Sequence, residues 1–577
     1  MLDVVLRGGT VVDGTGAPGR RADVGVRDGR VVEVGTVDEA AARTVDADGL
    51  VVAPGFVDLH THYDAQLFYD PQLSPSPLHG VTTVIGGNCG LTLAPVDPAD
   101  ESFLVRLLAR VESIPVEALE AGLSFRWRTF GEFLDVVEGV ALAANIGFLV
   151  GHSAIRRSVM GAAASERAAH PDELAAMRRL LGEAIAAGGM GFSTANAATQ
   201  IDGDGRPTPP NFATREEFVA LAGVCGDHPG TSIEFIPDSF IRGFSDDDVE
   251  LMADMSAAAN RPLNWNTPLI NRNDPDLYKR QLRASEVARE RGGRVVPMFN
   301  PQNLQIQHDF DPGYVFRALP GWGWLFELDV KARMAALRDP DRRRQLEVAA
   351  AEPTAGLAVV VRNWATYRVN EVPRPDLAPL VGRSVADLGA EWGMSPFDAM
   401  IEAALRCDLQ VGFVRPQYPD HDDWVWQARL EVLKDPRVVL QASDAGAHLD
   451  MMSGANFPTR CIAELVRGRG AFTLEEMVRQ FTSVPADLYG LIDRGRVAPG
   501  AWADLVVFDP ATIGATPLET VRDLPAGGAR LTTRGVGVER VLVGGRDVVS
   551  GGAFTGDGPG RVLRSGRDSR TVTARAS

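Results

Sequence analysis

Along the first 54 residues apolar and polar positions alternate, broken by Gly and Asp, in DVVLRGGTVVDG, ADVGVRDGRVVEVG and TVDADGLVVAPG. A period of two closed by such breaks predicts short strands and tight turns, here a small antiparallel sheet. The far end returns to the same style in GAWADLVVFDP and VERVLVGGRDVVSGG. These ends read either as two separate caps or as one small β-domain. Chain ends often lie close together, so residues 1–54 and 495–577 are expected to form one domain with a large insertion between them.

Between the ends the pattern changes. Short β-rich runs, most followed by helical stretches, fall at 55–62, 80–90, 145–156, 188–196, 230–237, 261–270, 293–302 and 437–448. DELAAMRRLLGEAIAAG (172–188) carries helical spacing between two of them. Eight β/α units over residues 55–494 predict an α/β fold closed as a (β/α)8 TIM-like barrel, with chemistry at the carboxyl ends of the strands. The gap from 303 to 436 is rich in Pro, Trp and Arg and includes one clear helix, PFDAMIEAAL (396–405). Insertions of this kind commonly cover the substrate, which makes 303–436 the candidate lid. Trp322, Trp324, Trp424 and Trp426 in or near it read as lid core before substrate platform.

Composition narrows the class. The 577 residues are 45% hydrophobic and 23% charged, ordinary for a large globular protein, and the net charge is −18 with no block of like charges. That argues against nucleic acid or an anionic membrane as partner and for simple solubility; the partner expected is a small-molecule substrate, and a homo-oligomer stays open. Cys89, Cys225, Cys407 and Cys461 form no CxxC pair, so a reducing cytoplasm is expected. Neither a signal peptide nor a membrane-length apolar run is evident.

The candidate chemistry starts in GFVDLHTHYD (55–64). On a strand Asp58, His60 and His62 share one face, and three titratable groups facing a barrel interior are costly unless they bind something. Neutral imidazoles at i and i+2 can converge on one metal ion, although a pair of hydrogen-bonded structural histidines would leave the same pattern. Cys89, flanked by glycines in IGGNCG, ends the second strand at the same level, where a thiolate beside two imidazoles suits zinc. Asp444 in QASDAGAH ends the eighth strand; it reads as a helix N-cap in isolation, yet barrel closure places it beside the first strand. His448, four residues on, either assists Asp444 or caps the next helix.

These motifs, with GHSAIRRSVMG, GGMGFSTAN and TSVPADLYGLIDRGRVAPGAWADLVVFDP, resemble the amidohydrolase superfamily, and within it the N-acyl-D-amino-acid deacylase (D-aminoacylase) group, from about residue 1 to about residue 565. The resemblance implies a metal-dependent barrel with a flanking β-sandwich made from both termini. It also implies hydrolysis of an amide C–N bond, with metal-bound water as nucleophile and Asp444 as base and proton shuttle. Many superfamily members bridge two metals with a carboxylated lysine on the fourth strand. The three lysines here, Lys279, Lys331 and Lys434, all lie beyond it, and Cys89 matches the cysteine that bridges in the deacylases.

The pattern is broken on strands five and six. The deacylases supply a histidine ligand from each, whereas TSIEFIPDSF offers Glu234 and RPLNWNTPLI offers Asn264, Trp265 and Asn266; the family's substrate-holding lysine is absent too. Three arrangements follow, in order of preference. One zinc or similar ion sits on His60, His62 and Asp444, with Cys89 or Glu234 completing the set and a second ion allowed. Alternatively Glu234 ligates directly and favours a harder ion such as manganese. Last, the barrel has lost its metal and acts as a binding protein. A cyclic amide or imide hydrolase of the same superfamily is the rival activity. His152 in GHSAIR is the remaining catalytic candidate, to orient or polarise the substrate carbonyl, or else a backbone-bonded structural residue. Arg156, Asn196 and Asn266 are candidates for holding substrate, with Arg156 replacing the missing lysine. The polar loop 196–210 reads as a mouth loop or a solvated turn.

Overall fold

A computed structural model of the chain describes residues 1–575 apart from 198–199, 312, 318, 353–360 and 419–421. Parts of the expected mouth loop and of the insertion, and the last two residues of the expected terminal domain, therefore lie outside the described residues.

The two ends of the chain share a nine-stranded sheet. Val51–Pro54 pairs antiparallel with Leu505–Phe508, which puts Val52 opposite Val507 at the seam. The sheet is mixed, which corrects the antiparallel expectation: Leu2–Val11 runs antiparallel to Arg20–Arg27 but parallel to Ala41–Asp46 and Val51–Pro54. The hairpin Arg20–Arg27/Arg30–Gly35 occupies one edge of the first strand. The returning chain adds to the free edge by a crossover, and alternation along a strand carries no information about that direction. Val4, Leu6, Val24, Val26, Val52, Leu505 and Val507 bury one face of this sheet.

The middle of the chain is built on parallel strands. Phe56–Asp58, Val81–Gly86 and Asn145–Phe148 pair in chain order. Val150–Gly151, Gly191–Ala195, Ser232–Ile236, Pro262–Asn266, Arg294–Phe299 and Val439–Leu440 form a second parallel run, also in chain order. Helices Pro171–Ala186, Arg215–Val224, Asp246–Ala259 and Leu277–Glu290 stand between successive strands. Every residue of Val81–Gly86, Gly191–Ala195 and Ser232–Ile236 is buried, as expected of parallel strands covered on both faces. The first and last segments are neighbours: Thr61 forms a parallel bridge with Ala445, His62 N donates to Ala445 O at 2.7 Å, and Leu59 N donates to Gln441 Oε1 at 3.0 Å.

Residues of the 303–436 insertion form a three-stranded antiparallel sheet, with Gly412–Pro416 between Gln305–His308 and Arg368–Glu371. Phe310, Trp322, Leu388, Phe397 and Phe413 centre an apolar cluster of its own. The predicted helix is present as Pro396–Arg406, capped by Ser395. Gln307 N donates to Met451 O at 2.8 Å, which ties this sheet to the loop after the last parallel strand. Among the described residues no helix is long and apolar enough to cross a membrane.

Candidate metal centre

The strand Phe56–Asp58 runs out into His60 and His62, both at most 2% exposed. Ligand atoms of His60, His62 and Cys89 all lie within 4.8 Å of one another, with Cys89 Sγ 3.4 Å from His60 Nε2. Cys89 is delivered by a turn that only small residues can make. Gly87 and Gly90 sit at φ +72° and +73°, and a Cβ on Gly87 would stand 2.2 Å from Leu149 O. Asn88 pins the turn by donating to Ile85 O at 2.9 Å and Thr61 O at 3.3 Å.

Asp444 joins from the segment that follows the last parallel strand. Its Oδ1 lies 3.2 Å from His60 Nε2 and 3.9 Å from His62 Nε2. It is held there by its own N–H donating to His60 O at 3.2 Å, and by Ser443 Oγ donating to Asp58 Oδ2. It sits in a left-handed turn at φ +54° and is not a helix N-cap. Glu234 Oε2 accepts from Cys89 N at 2.9 Å, while its Oε1 is buried without a partner.

The electrostatics are those of a site made for a cation. Burial drives His60 down to about 3, with His448 adding to the effect, and drives His62 well below the usual imidazole range. Both rings are therefore neutral and able to ligate. Burial pushes the Cys89 thiol up, and Glu234, Glu112, Asp444 and Asp64 push it further. Burial and then Asp444 raise Glu234. Asp444 itself is raised to about 7 by burial and by Asp58, and burial lifts Asp64 to about 7. Acids crowded and desolvated in this way are relieved by a divalent ion, which favours their charged forms. The donor set of imidazole, thiolate and carboxylate, with Glu234 Oε1 unpartnered, fits such an ion.

Glu112 was not visible in the sequence. It follows the helix Glu101–Val111, is 3% exposed, and places Oε1 3.5 Å from His62 Nδ1 and Oε2 3.9 Å from His448 Nε2. Its backbone carbonyl also accepts from His448 N at 2.6 Å. No spacing rule marks a glutamate at that helix end, and only the packing reveals it. His448 is thus bound to Glu112 and caps no helix.

His152 and Arg156 are not brought to the cluster, which corrects their assignment to the mouth. His152 opens the helix His152–Met160 instead of ending a strand. Its Nδ1 meets Thr194 Oγ1 at 2.8 Å and its Nε2 meets Glu217 Oε1 at 2.9 Å. Thr194 and Phe192, which contacts the imidazole edge-on, share one face of their strand, while Ser193 on the other face bonds Gly87 O and Gly90 N. His152 therefore lies on the helix side of that strand. Arg156, fully buried, reaches the same Glu217 oxygen. Asn196 Oδ1 accepts from Asp238 N at 2.8 Å. Asn266 Oδ1 is buried without a partner, and Asn264 bonds Ile233 O and Tyr489 Oη.

Parallel α/β architecture with imidazole, thiol and carboxylate donors converging beyond the carboxyl ends of the strands defines a metal-centred α/β enzyme. Residues 43–549 match the amidohydrolase family, and the chain belongs to it. It is 30% identical to a D-aminoacylase of Alcaligenes xylosoxydans xylosoxydans over 97% of both chains. It is 29% identical to an N-acyl-D-glutamate deacylase of the same organism over 98% of this chain and 96% of the other. Among solved structures it resembles a D-aminoacylase at TM-score 0.63 and 27% identity, over 98% of this chain and 100% of that one. An N-acyl-D-glutamate deacylase of Bordetella bronchiseptica, complexed with zinc and a phosphonate that mimics the tetrahedral intermediate, gives TM-score 0.62 at 26% identity, over 98% and 100% of the two chains.

Proposed function

We propose that this protein is a metal-dependent amidohydrolase of the N-acyl-D-amino-acid deacylase type, cleaving the amide of a small N-acyl compound. The observation that carries the reading is the meeting of His60, His62 and Cys89 donor atoms within 4.8 Å, with Asp444 Oδ1 3.2 Å from His60 Nε2.

His60, His62, Cys89 and Asp444 would hold the ion, and Glu234 stands ready through its unpartnered oxygen. Thiolate with imidazole favours zinc; direct ligation by Glu234 would favour manganese. Bound there, the ion supplies Lewis acidity toward the amide carbonyl and acidifies water. The chain's own residues do the rest. Asp444, with a side chain 26% exposed where His60 shows 0%, is open to substrate. Its carboxylate takes the proton from the attacking water and returns it to the leaving amine. Asp58 and Ser443 fix the Asp444 turn, and Glu112 orients His62 from behind.

The same reading closes residues 55–494 into a barrel, supported by the Thr61–Ala445 bridge, and makes 303–436 its lid. Residues 1–54 with 495–577 form the flanking sandwich, supported by a shared sheet that runs as far as Phe554, while Val562–Leu563 pairs with Asn145–Phe148 of the parallel strands. Four free cysteines suit a reducing cytoplasm.

The test combines metal quantification with turnover on N-acyl-D- and N-acyl-L-amino acids and a cyclic imide. Bound zinc or manganese should be lost in His60→Ala, and turnover should fall about 10²–10⁴-fold in Asp444→Asn. Full turnover by Asp444→Asn would remove the aspartate from the chemistry. A protein that neither contains nor responds to a divalent ion would return the barrel to a binding role.

A further inference from the structure

A cavity of about 1040 Å3 opens at the other end of the parallel strands from the metal donors. It lies between helices Leu277–Glu290 and Leu474–Phe481, and its lining includes Val295, Val296, Val438 and Val439, where the seventh and eighth strands begin. Chemistry in this architecture sits at the opposite rim, so a large arginine-lined cavity here calls for a separate explanation.

Its wall is unbalanced in charge. The four carboxylates that line it are all engaged: Glu286 and Asp435 each pair with Arg437 at 2.6 Å, Asp487 pairs with Arg496 at 2.6 Å, and Glu476 accepts from Thr473 N at 2.7 Å. Against them stand Arg289, Arg294, Arg479 and Arg575, whose guanidinium groups make no ion pair or hydrogen bond among the described residues. Arg294 matters most, because it is half-buried at the start of the seventh strand and burial draws its pKa down. Two further lining residues, Ser285 and Gln480, carry buried oxygens, Oγ and Oε1, without partners. Buried polar groups are nearly always satisfied, so two unsatisfied ones beside four unpaired guanidinium groups around one cavity point to a ligand.

We propose that this cavity binds a small organic anion carrying at least two negative charges, a phosphate ester or a polycarboxylate. Arg294 is its deep cation, and Arg289, Arg479 and Arg575 ring its mouth. Ser285 Oγ donates a neutral hydrogen bond, Gln480 Oε1 accepts one from a hydroxyl or water beside the anion, and the valines give apolar contact to the carbon frame.

Titration calorimetry of the metal-loaded protein at low salt, with glycerol 2-phosphate in one arm and tricarballylate in the other, tests this directly. At least one probe should bind saturably and more weakly as salt is raised. The stronger probe tells phosphate ester from polycarboxylate. Affinity should fall about tenfold in Arg294→Gln, the scale of one lost charge-assisted hydrogen bond. Arg479→Gln, at an exposed position, should fall likewise and decides the matter if Arg294→Gln does not fold. Binding should be unchanged in His60→Ala, which removes anion capture by the metal. Loss of binding in His60→Ala, undiminished binding in the arginine variants, or no saturable binding of either probe up to about 10 mM would overturn the proposal.

Discussion

Glu112 Oε1 stands 3.5 Å from Nδ1 of His62, on the side of the ring away from Asp444, which approaches Nε2. A carboxylate behind a ligating imidazole fixes its tautomer and raises its basicity. Glu112→Gln should keep the fold and lower affinity for the divalent ion about 10–100-fold. Competition with a fluorescent chelator measures this, and unchanged affinity would reduce Glu112 to a packing residue.

Proton competition at Asp444 gives the pH dependence. Burial, with Asp58 adding to it, raises this carboxyl to about 7 in the metal-free protein. Below that pH a proton must leave before a cation can be held, so metal affinity should fall as pH drops through 7 and recover above it. Calorimetry at pH 6 and pH 8, in buffers of differing ionisation enthalpy, reads both the affinity and the protons released. Equal affinity at the two pH values would contradict the geometry.

The buried trio of His152, Arg156 and Glu217 is a stability element. Burial alone would raise Glu217, but hydrogen bonds from His152 and Arg156 and their charge outweigh it and leave its pKa lowered. A lowered carboxylate stabilises the fold above its unfolded pKa of about 4.3, and that contribution drains away as pH falls further. Glu217→Gln strands Arg156 and should cost about 3–5 kcal/mol at pH 7. The gap to the parent should narrow below about pH 4. Urea unfolding at the two pH values measures it, with metal affinity of the folded variant expected to stay the same.

The turn that presents Cys89 can be tested through its backbone. Gly87→Ala places a methyl 2.2 Å from Leu149 O at φ +72° and should cost about 1–3 kcal/mol while displacing the thiol. Gly223→Ala, in the helix Arg215–Val224 with nothing within 4 Å of the new methyl, should be neutral or gain about 0.5–1 kcal/mol. A lower melting temperature and weaker metal binding in the first variant alone would support the close approach of the two strands.

The parts of this molecule that were legible in sequence share a cause. His60, His62, Cys89 and Asp444 each end or follow an apolar run, so strand period and parallel order were enough to gather them. Glu112 comes from a helix end, where no period fixes direction, and its role appears only once His62 and His448 are seen on either side of it. His152 was misread because its strand stops at Gly151 and the helix begins at the histidine itself. One residue of difference at that boundary turns a side chain from the rim to the helix layer. Arg156, four residues on, then lies one helical turn away and meets the same carboxylate.

The hydrogen bond from Gln307 to Met451 has a bearing on any attempt to redesign specificity. Residues 303–436 have their own apolar centre and look like a cassette to be exchanged for a relative's. Yet one of their strands is stitched to the segment that carries Asp444 and His448. A transplanted segment would need to reproduce that stitch, or the loop that holds Asp444 and His448 would lose its footing. Grafts that keep Gln305–His308 and vary only the helices above it are the ones to build.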